Sequence, residues 1–413
     1  MRRVLVLGVV VCVLAVAASA PGEEKAADPQ AAEKTALAGS VNAFALDLYA
    51  QVRGEKGNLF FSPYSVSSAL AMTYGGARGD TAAEMARTLR FPAGWPAAPD
   101  RIHAAYAGLN AGLNAEGKPY ALTVANSLWG QKGYEFVPDF LGLLKRQYGA
   151  GLEQVDFAKD TEGARKTINA WVEQKTKDRI KDLVPPGTLQ ALTRLVLVNA
   201  IYFKGTWESP FEKQGTREAD FFVTPARKVR APTMRQVEHV RYAEAPDAQA
   251  VELPYKGGDL AMVILLPKQR GGLAALEKSL TAQTLAKRLE ALEVENVAVS
   301  LPRYTMTWSS GLAKVLGAMG MVRAFDGQKA DFTGINAGKE PFWISEVIHK
   351  AFVEVNEEGT EAAAATAVVA MGGAAPEEPV EFRADHPFLF LIRDTASGAI
   401  LFMGRLMDPT AKS

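Results

Sequence analysis

The sequence is poor in the residues that most often build catalytic and metal sites. Its 413 residues include one cysteine, Cys12, and four histidines. It contains neither a His-Glu-x-x-His pair nor a Gly-x-Ser-x-Gly segment, which are common signals of zinc proteases and serine hydrolases. Phosphate-binding glycine loops and dinucleotide fingerprints are missing as well. These absences argue against an enzyme, and they give no reason to expect a cofactor or a metal.

Net charge is also absent. The 46 basic residues are balanced by 46 acidic ones, so the formal net charge is zero. A nucleic-acid partner usually requires a basic face, and none is expected here. The chain also has no Asn-x-Ser/Thr site for N-glycosylation.

The first twenty residues are predicted to be a signal peptide. Two arginines precede an apolar run and a stretch of small residues that ends at Ala20. Cleavage after Ala18 and after Ala20 both fit the pattern. A retained anchor is the alternative, although the run is shorter than the about 20 residues that span a membrane. We therefore expect a secreted or periplasmic protein, a flexible leader over residues 21–39, and no disulfide once Cys12 is removed.

Residues 40–410 are predicted to form one α+β domain, because no repeat or long linker follows residue 40. Residues 192–203 are nearly continuously apolar, which is typical of a strand buried on both faces. The first helix is predicted to begin near Ser40. Further strands are predicted at 120–129, 251–255, 260–267, 297–308, 342–356, 388–393 and 399–403, and further helices at 65–72, 81–89, 102–113, 138–148, 159–182, 273–292 and 311–319.

Residues 357–381 are unusual because they are rich in alanine and long for a loop inside a domain. Residues 357–375 lack proline, so the segment could enter a sheet as a central strand. Gly359 offers a hinge. An alanine-rich helix is the competing local structure. One face of the strand would carry only small or apolar side chains: Thr360, Ala362, Ala364, Thr366, Val368, Ala370 and Gly372.

This segment resembles the hinge of inhibitory serpins. The matching hinge residues are Glu357, Glu358, Gly359, Thr360, Glu361, Ala362, Ala363, Ala364, Ala365 and Thr366. Other segments similar to serpin motifs follow in the family's order: Phe61–Val66, Asn199–Trp207, Ile348–Ala351, His386–Asp394 and Ile400–Arg405. The resemblance covers residues 40–409. It implies a single-domain serpin fold with a large, mainly antiparallel central sheet, further sheets, surrounding helices and an exposed reactive-centre loop at about 357–381.

The resemblance also implies a mechanism. A serine protease would attack the loop and form a covalent acyl-enzyme, and the cleaved loop would then insert into the central sheet. The protein would act once, as a monomer, and would not be an enzyme. Residues 102–113 carry almost no basic side chains, so a heparin site is not expected. The alternative is a non-inhibitory serpin that acts as a carrier or a chaperone-like binding protein.

Site roles follow from the matching positions. Trp207 and Glu357 would mark the site of first insertion, and Arg303 would be the basic partner of Glu357. The alternative for these residues is plain core packing or a surface ion pair. The polar cluster beneath the opening point of the sheet would comprise Ser62, Ser65, Asn199 and His349.

The scissile bond is placed at Gly373–Ala374 by counting from the hinge. Met371–Gly372 and Ala370–Met371 stay open, because loops of the family vary in length. No lysine or arginine lies between residues 350 and 383, which argues against a trypsin-like target. Small residues favour an elastase-like or subtilisin-like protease, whereas cleavage at Met371 would fit a chymotrypsin-like one.

Overall fold

The computed structural model describes residues 29–360 and 378–411. Within these ranges the helices are α1 (Pro29–Val52), α2 (Pro63–Tyr74), α3 (Gly79–Thr88), α4 (Pro99–Leu113), α5 (Pro138–Leu143), α6 (Thr161–Lys175), α7 (Leu273–Ser279), α8 (Ala282–Glu290), α9 (Ala313–Ala318) and α10 (Thr333–Asn336). The strands are β1 (Leu59–Phe61), β2 (Tyr120–Gln131), β3 (Leu152–Val155), β4 (Leu195–Thr206), β5 (Arg217–Thr224), β6 (Arg227–Glu244), β7 (Ala248–Pro254), β8 (Leu260–Pro267), β9 (Glu293–Pro302), β10 (Tyr304–Gly311), β11 (Ile344–Val355), β12 (Gly359–Thr360), β13 (Val380–Arg383), β14 (Phe388–Asp394) and β15 (Ile400–Leu406).

The central sheet has the strand order β10-β11-β4-β2-β3, and the short strand β12 pairs with one end of β4. Strand β4 is antiparallel to β2 and parallel to β11. Its alternate residues belong to two different clusters. Leu195, Leu197 and Ile201 belong to the main core with α2, and Val196 and Val198 belong to a smaller core with α6. Burial on both faces explains its continuous apolar sequence.

The second sheet, here called the outer sheet, has the order β1-β15-β14-β8-β7-β6-β9-β13, with β5 beside β6. Strands β8, β14 and β15 form its apolar centre. Strand β13 pairs in parallel with β9 at the edge of the sheet farthest from β1. The segment 361–377 therefore connects β12 in the central sheet to β13 in the outer sheet.

The N-terminal part of the domain differs from the prediction. Helix α1 begins at Pro29 rather than near Ser40, so residues 29–39 are helical and not a flexible leader. Leu37 and Ala38 are fully buried, because this part of the helix packs into the main core. The glutamate at position 33 also pairs with Arg101 of α4 at 2.7 Å.

Other predicted elements also have different bounds. Residues 297–308 form two strands, since the chain leaves the outer sheet at Pro302 and joins the central sheet at Tyr304. Residues 273–292 form two helices, because Thr281 caps a new helix with its hydroxyl. The helix predicted at 159–182 ends at Lys175. Within the described ranges, no helix combines the length and the apolar character that crossing a membrane requires.

Candidate functional site

The hinge enters the central sheet where β4 and β11 separate. The two strands pair in parallel as far as Tyr202 and Phe352. Beyond that point the chain turns back, with backbone hydrogen bonds of 2.9 and 3.1 Å between Asn356 and Gly359. Strand β12 then runs antiparallel to β4, with Gly359 opposite Thr206. The first two residues after the turn therefore already occupy a strand position beside β4.

Only glycine fits at position 359. Its φ of +139° lies in a region that side chains disfavour. A Cβ atom there would lie 2.1 Å from the carbonyl oxygen of Gly205. A side chain at Gly205 would in turn meet the rings of Phe203 and Tyr255 at 2.6 and 2.9 Å. The hinge backbone can approach the backbone of β4 this closely because position 359 carries no side chain.

Thr360 is anchored under the sheet by an aromatic pair. It is fully buried, and its hydroxyl lies 2.9 Å from that of Tyr255. Burial raises the pKa of Tyr255, so the phenol stays protonated and can donate this bond. The Tyr255 ring stacks on Trp207 with 4.6 Å between centroids. The Trp207 indole donates to the carbonyl of Asn356 at 3.0 Å. These contacts hold both ends of the turn.

The two glutamates of the hinge are buried and paired. Glu357 is 5% exposed and accepts a 2.7 Å hydrogen bond from Thr216. Arg303 lies 3.6 Å from the same carboxylate. Glu358 forms an ion pair with Lys213. Its Oε2 atom is buried and has no hydrogen-bond partner among the described residues. Burying charged groups costs free energy unless they are paired. The Oε2 atom of Glu358, unpaired among the described residues, therefore destabilises this corner of the fold.

A row of polar residues crosses the central sheet below the hinge. Asn126 of β2, Asn199 of β4 and His349 of β11 lie directly opposite one another. The amide of Asn199 donates to Asn126 and to Ser65, the latter at 2.6 Å, and its carbonyl oxygen contacts His349. Burial lowers the pKa of His349 to about 3, so the imidazole is neutral.

Ser62 connects this row to helix α2 and to the outer sheet. Its backbone N–H donates to His349 at 3.1 Å, and its hydroxyl donates to the carbonyl of Leu401 at 2.6 Å. The same hydroxyl caps α2 by accepting from the N–H of Ser65. The structure thus brings together Ser62, Ser65, Asn199 and His349, and it adds Asn126, which the sequence analysis missed. The available signal was the asparagine in the middle of the strand Tyr120–Gln131.

The remaining predicted site residues lie outside the described ranges. They comprise the hinge positions Glu361, Ala362, Ala363, Ala364, Ala365 and Thr366 and the candidate scissile residues Ala370, Met371, Gly372, Gly373 and Ala374.

Comparison with known proteins agrees with this geometry. A family model described as "Serpin (serine protease inhibitor)" matches residues 39–409. Leukocyte elastase inhibitor from Bos taurus is 44% identical over 377 residues, or 89% of this chain and 97% of the relative. The inhibitor of the same name from Homo sapiens is 43% identical with the same coverage. The crystal structure of Serpin48 from Tenebrio molitor superposes with a TM-score of 0.80 at 34% identity, covering 90% of this chain and 98% of that one.

The comparison contradicts one expectation. A secreted or periplasmic location was expected from the N-terminus, but these leukocyte elastase inhibitors are intracellular serpins. Residues 1–20 lie outside both the family match and the described ranges. An apolar run after two arginines was therefore too general a pattern to assign a location. The family match, the relatives and the fold agree, and the chain belongs to the serpins, a family of protease inhibitors rather than catalytic enzymes.

Proposed function

We propose that this protein is a suicide-substrate inhibitor of serine proteases, formed by the domain that begins with α1 and acting as a monomer. The protease would attack the loop, form an acyl-enzyme, and be trapped covalently when the severed loop inserts between β4 and β11. One observation carries the proposal. Gly359 and Thr360 already pair with β4 in the antiparallel direction that an inserted strand needs.

Extending this register tests the loop sequence against the sheet. Thr360 lies opposite Gly205, so each later residue would lie opposite a residue one position earlier in β4. The small face of the loop would then face Phe203, Ile201, Asn199, Leu197 and Leu195, all of which are fully buried. Opposite residues in an antiparallel pair share a face of the sheet. The absence of bulky or charged side chains on that face is what insertion requires, and it also disfavours the alternative of a non-inhibitory serpin.

Thr366 has a particular place in the extended register. It would lie opposite Asn199, within the row that also contains His349. Insertion must break the contact between Asn199 and His349, because the new strand comes between them. A threonine hydroxyl is a donor and an acceptor, so it can replace the lost partner of each. We propose that Thr366 bridges the polar row in the inserted state.

Topology supplies the driving force. Strands β4 and β11 are parallel, so a strand that is antiparallel to β4 is antiparallel to β11 as well. Insertion would therefore replace one parallel ladder by two antiparallel ladders, which are slightly more stable per residue. About ten additional ladder bonds at about 1 kcal/mol each give a driving force on the order of 10 kcal/mol.

Insertion would also move the trapped protease. About 14 inserted residues at about 3.3 Å each carry the scissile end on the order of 45 Å along the sheet. The esterified protease would be dragged to the far end of β4 and distorted there. This step consumes the inhibitor, so each molecule acts once.

We propose an elastase-like or subtilisin-like target and a scissile bond at Gly373–Ala374, with Met371–Gly372 and Ala370–Met371 as alternatives. Small residues fill this part of the loop. The printed name of the relatives, leukocyte elastase inhibitor, points in the same direction. We expect no heparin site on α4, whose residues 102–113 contain neither lysine nor arginine.

The test is incubation with elastase-, subtilisin-, chymotrypsin- and trypsin-type enzymes. We expect a complex stable in SDS with one of the first two, and mass spectrometry of the released C-terminal peptide then identifies the scissile bond. If every enzyme cleaves the loop and none is retained, the protein is a substrate and the proposal is wrong.

A further inference from the structure

The outer sheet carries a cleft rich in arginine beside the end of the loop. The cleft has a volume of about 520 Å³ and lies where β5, β6, β9 and β13 meet. Its five arginines define what we call the arginine cleft: Arg217, Arg230, Arg235, Arg270 and Arg383. Asp220 and Asp385 also line it, and Glu381 pairs with Arg235 at its edge. With Lys228, which pairs with Asp220, six cationic groups therefore lie beside three carboxylates.

Strand register places two of these arginines on either side of a small residue. Arg235 of β6 and Arg383 of β13 both lie opposite Ser300 of β9. Opposite residues share a face, so two guanidinium groups flank a buried serine. Their side chains are 54% and 63% exposed, so both heads are open to solvent.

Neighbouring groups hold the arginines in place. Arg270 lies 3.4 Å above the ring of Phe222 and pairs with Asp385 at 3.0 Å. Arg230 pairs with Asp220 at 3.2 Å, and that carboxylate also binds Lys228. Planar guanidinium groups oriented in this way can form paired hydrogen bonds to further carboxylates.

The cleft lies within reach of a protease bound to the loop. Gly373 is seven residues before Val380, the first residue of β13. At no more than about 3.5 Å per residue, the scissile bond lies within about 25 Å of β13. A protease domain of about 230 residues is about 40 Å across. An enzyme at the scissile bond therefore has the size to cover this part of the outer sheet.

We propose that the arginine cleft binds acidic side chains of the attacking protease and thereby selects enzymes with an acidic surface beside their active site. This inference rests on the proposed inhibitory function. The chain has no net charge, so attraction of a charged enzyme must come from a local patch such as this one. A protein surface fits better than a uniformly charged polyanion, because it also carries basic side chains that can complement the three interspersed carboxylates.

The test compares two proteases that both cleave after small residues: a subtilisin of acidic isoelectric point and an elastase of strongly basic isoelectric point. The variant is Arg230→Gln with Arg383→Gln. It removes the pairs Arg230–Asp220 and Arg383–Glu381. Asp220 stays paired with Lys228 and Glu381 with Arg235, so neither carboxylate loses its last basic partner. We expect the association rate with the subtilisin to fall about tenfold at low ionic strength and much less at high ionic strength. The rate with the basic elastase should not fall.

The matched control is Lys329→Gln with Lys339→Gln. These side chains are 62% and 60% exposed, similar to the 61% of Arg230 and 63% of Arg383. They precede the start of β11, about 40 Å along that strand from the hinge. The control should leave both rates unchanged, and an equal loss in both double variants would mean that overall charge, not the cleft, sets the rate.

Complex formation and association rate together separate this inference from the proposed function. SDS-stable complexes with equal rates for wild type and the cleft variant would overturn the inference and leave inhibition intact. Absence of any complex with either enzyme would overturn inhibition itself. Binding of a sulfated polysaccharide at the cleft, with no change in the protease rates, would also overturn the inference.

Discussion

At the scale of single residues, the polar row through Asn126, Asn199 and His349 is the most constrained part of the site. Its members are held by side-chain hydrogen bonds between three strands and α2. A buried polar group left without a partner costs about 1–3 kcal/mol. The row therefore favours the closed sheet until another polar group takes over its hydrogen bonds.

His349 makes stability depend on pH. Its folded pKa of about 3 is below the ordinary 6.5 because burial disfavours the charged form. Between these values the unfolded chain binds a proton that the folded chain does not. The contribution is fully present above pH 6.5 and decreases as pH falls. We expect this one histidine to lower the free energy of unfolding by about 2 kcal/mol between pH 7 and pH 5.

Urea unfolding across this pH range measures the effect. His349→Gln should reduce the pH dependence of the free energy of unfolding by the contribution of this one histidine. Part of the slope should persist, since burial also lowers the pKa of His103 to about 4. The exposed His239 provides the control, because His239→Gln should keep the wild-type slope. Identical slopes in all three proteins would refute the assignment to His349.

At the scale of elements, β12 sets the register in which the loop would enter the sheet. Thr366→Arg would place a charge opposite Asn199 in the inserted strand. A buried unpaired charge costs about 3 kcal/mol or more, which slows insertion by about 100-fold. We expect cleavage of the loop to be retained and trapping to fail, so the inhibitor becomes a substrate.

The stoichiometry of inhibition measures this change. Glu377→Arg adds the same side chain downstream of every candidate scissile bond, where no insertion is proposed. Its stoichiometry should equal that of the wild type. If the Thr366→Arg variant trapped the protease as well as the wild type does, the register would not extend to this position.

Elements differ in how well the sequence predicts them. Strand β4 was predictable because burial on both faces leaves a continuous apolar run. The break at Pro302 was missed because β9 and β10 are apolar on both sides of it, and only tertiary packing assigns them to different sheets. The role of Asn126 was missed for the same reason, since its partners Asn199 and Ser65 are more than sixty residues away. The hinge was proposed from its resemblance to a family motif, whereas the pairing of Gly359 and Thr360 with β4 required the structure.

At the scale of the whole molecule, the loop connects the central sheet to the outer sheet. Its cleavage would change the stability of the protein as a whole. Under the proposed mechanism, a cut between β12 and β13 would free the N-terminal arm of the loop to insert. An additional 10 kcal/mol of ladder bonds would raise the melting temperature of an about 370-residue domain on the order of 10–15 °C. The intact protein is therefore expected to be the less stable form.

Calorimetry on intact and loop-cleaved protein tests this expectation. The cleaved form is prepared with a protease that cuts the loop without being trapped. The Thr366→Arg variant, cut in the same way, serves as the control and should show little increase. An unchanged melting temperature for the cleaved wild type would contradict insertion.

The surroundings of Trp207 give the molecule an optical reporter of its own. The indole is 2% exposed, stacks on Tyr255 and donates to Asn356 at the turn into the hinge. Its emission depends on these neighbours, and insertion of the loop between β4 and β11 would alter the intensity by shifting Asn356, which follows β11, relative to Trp207. Subtracting the signal of a Trp207→Phe protein removes the contribution of the other five tryptophans. The proposed trapping of a protease could then be followed in real time and without a label, from a residue at the edge of the central sheet.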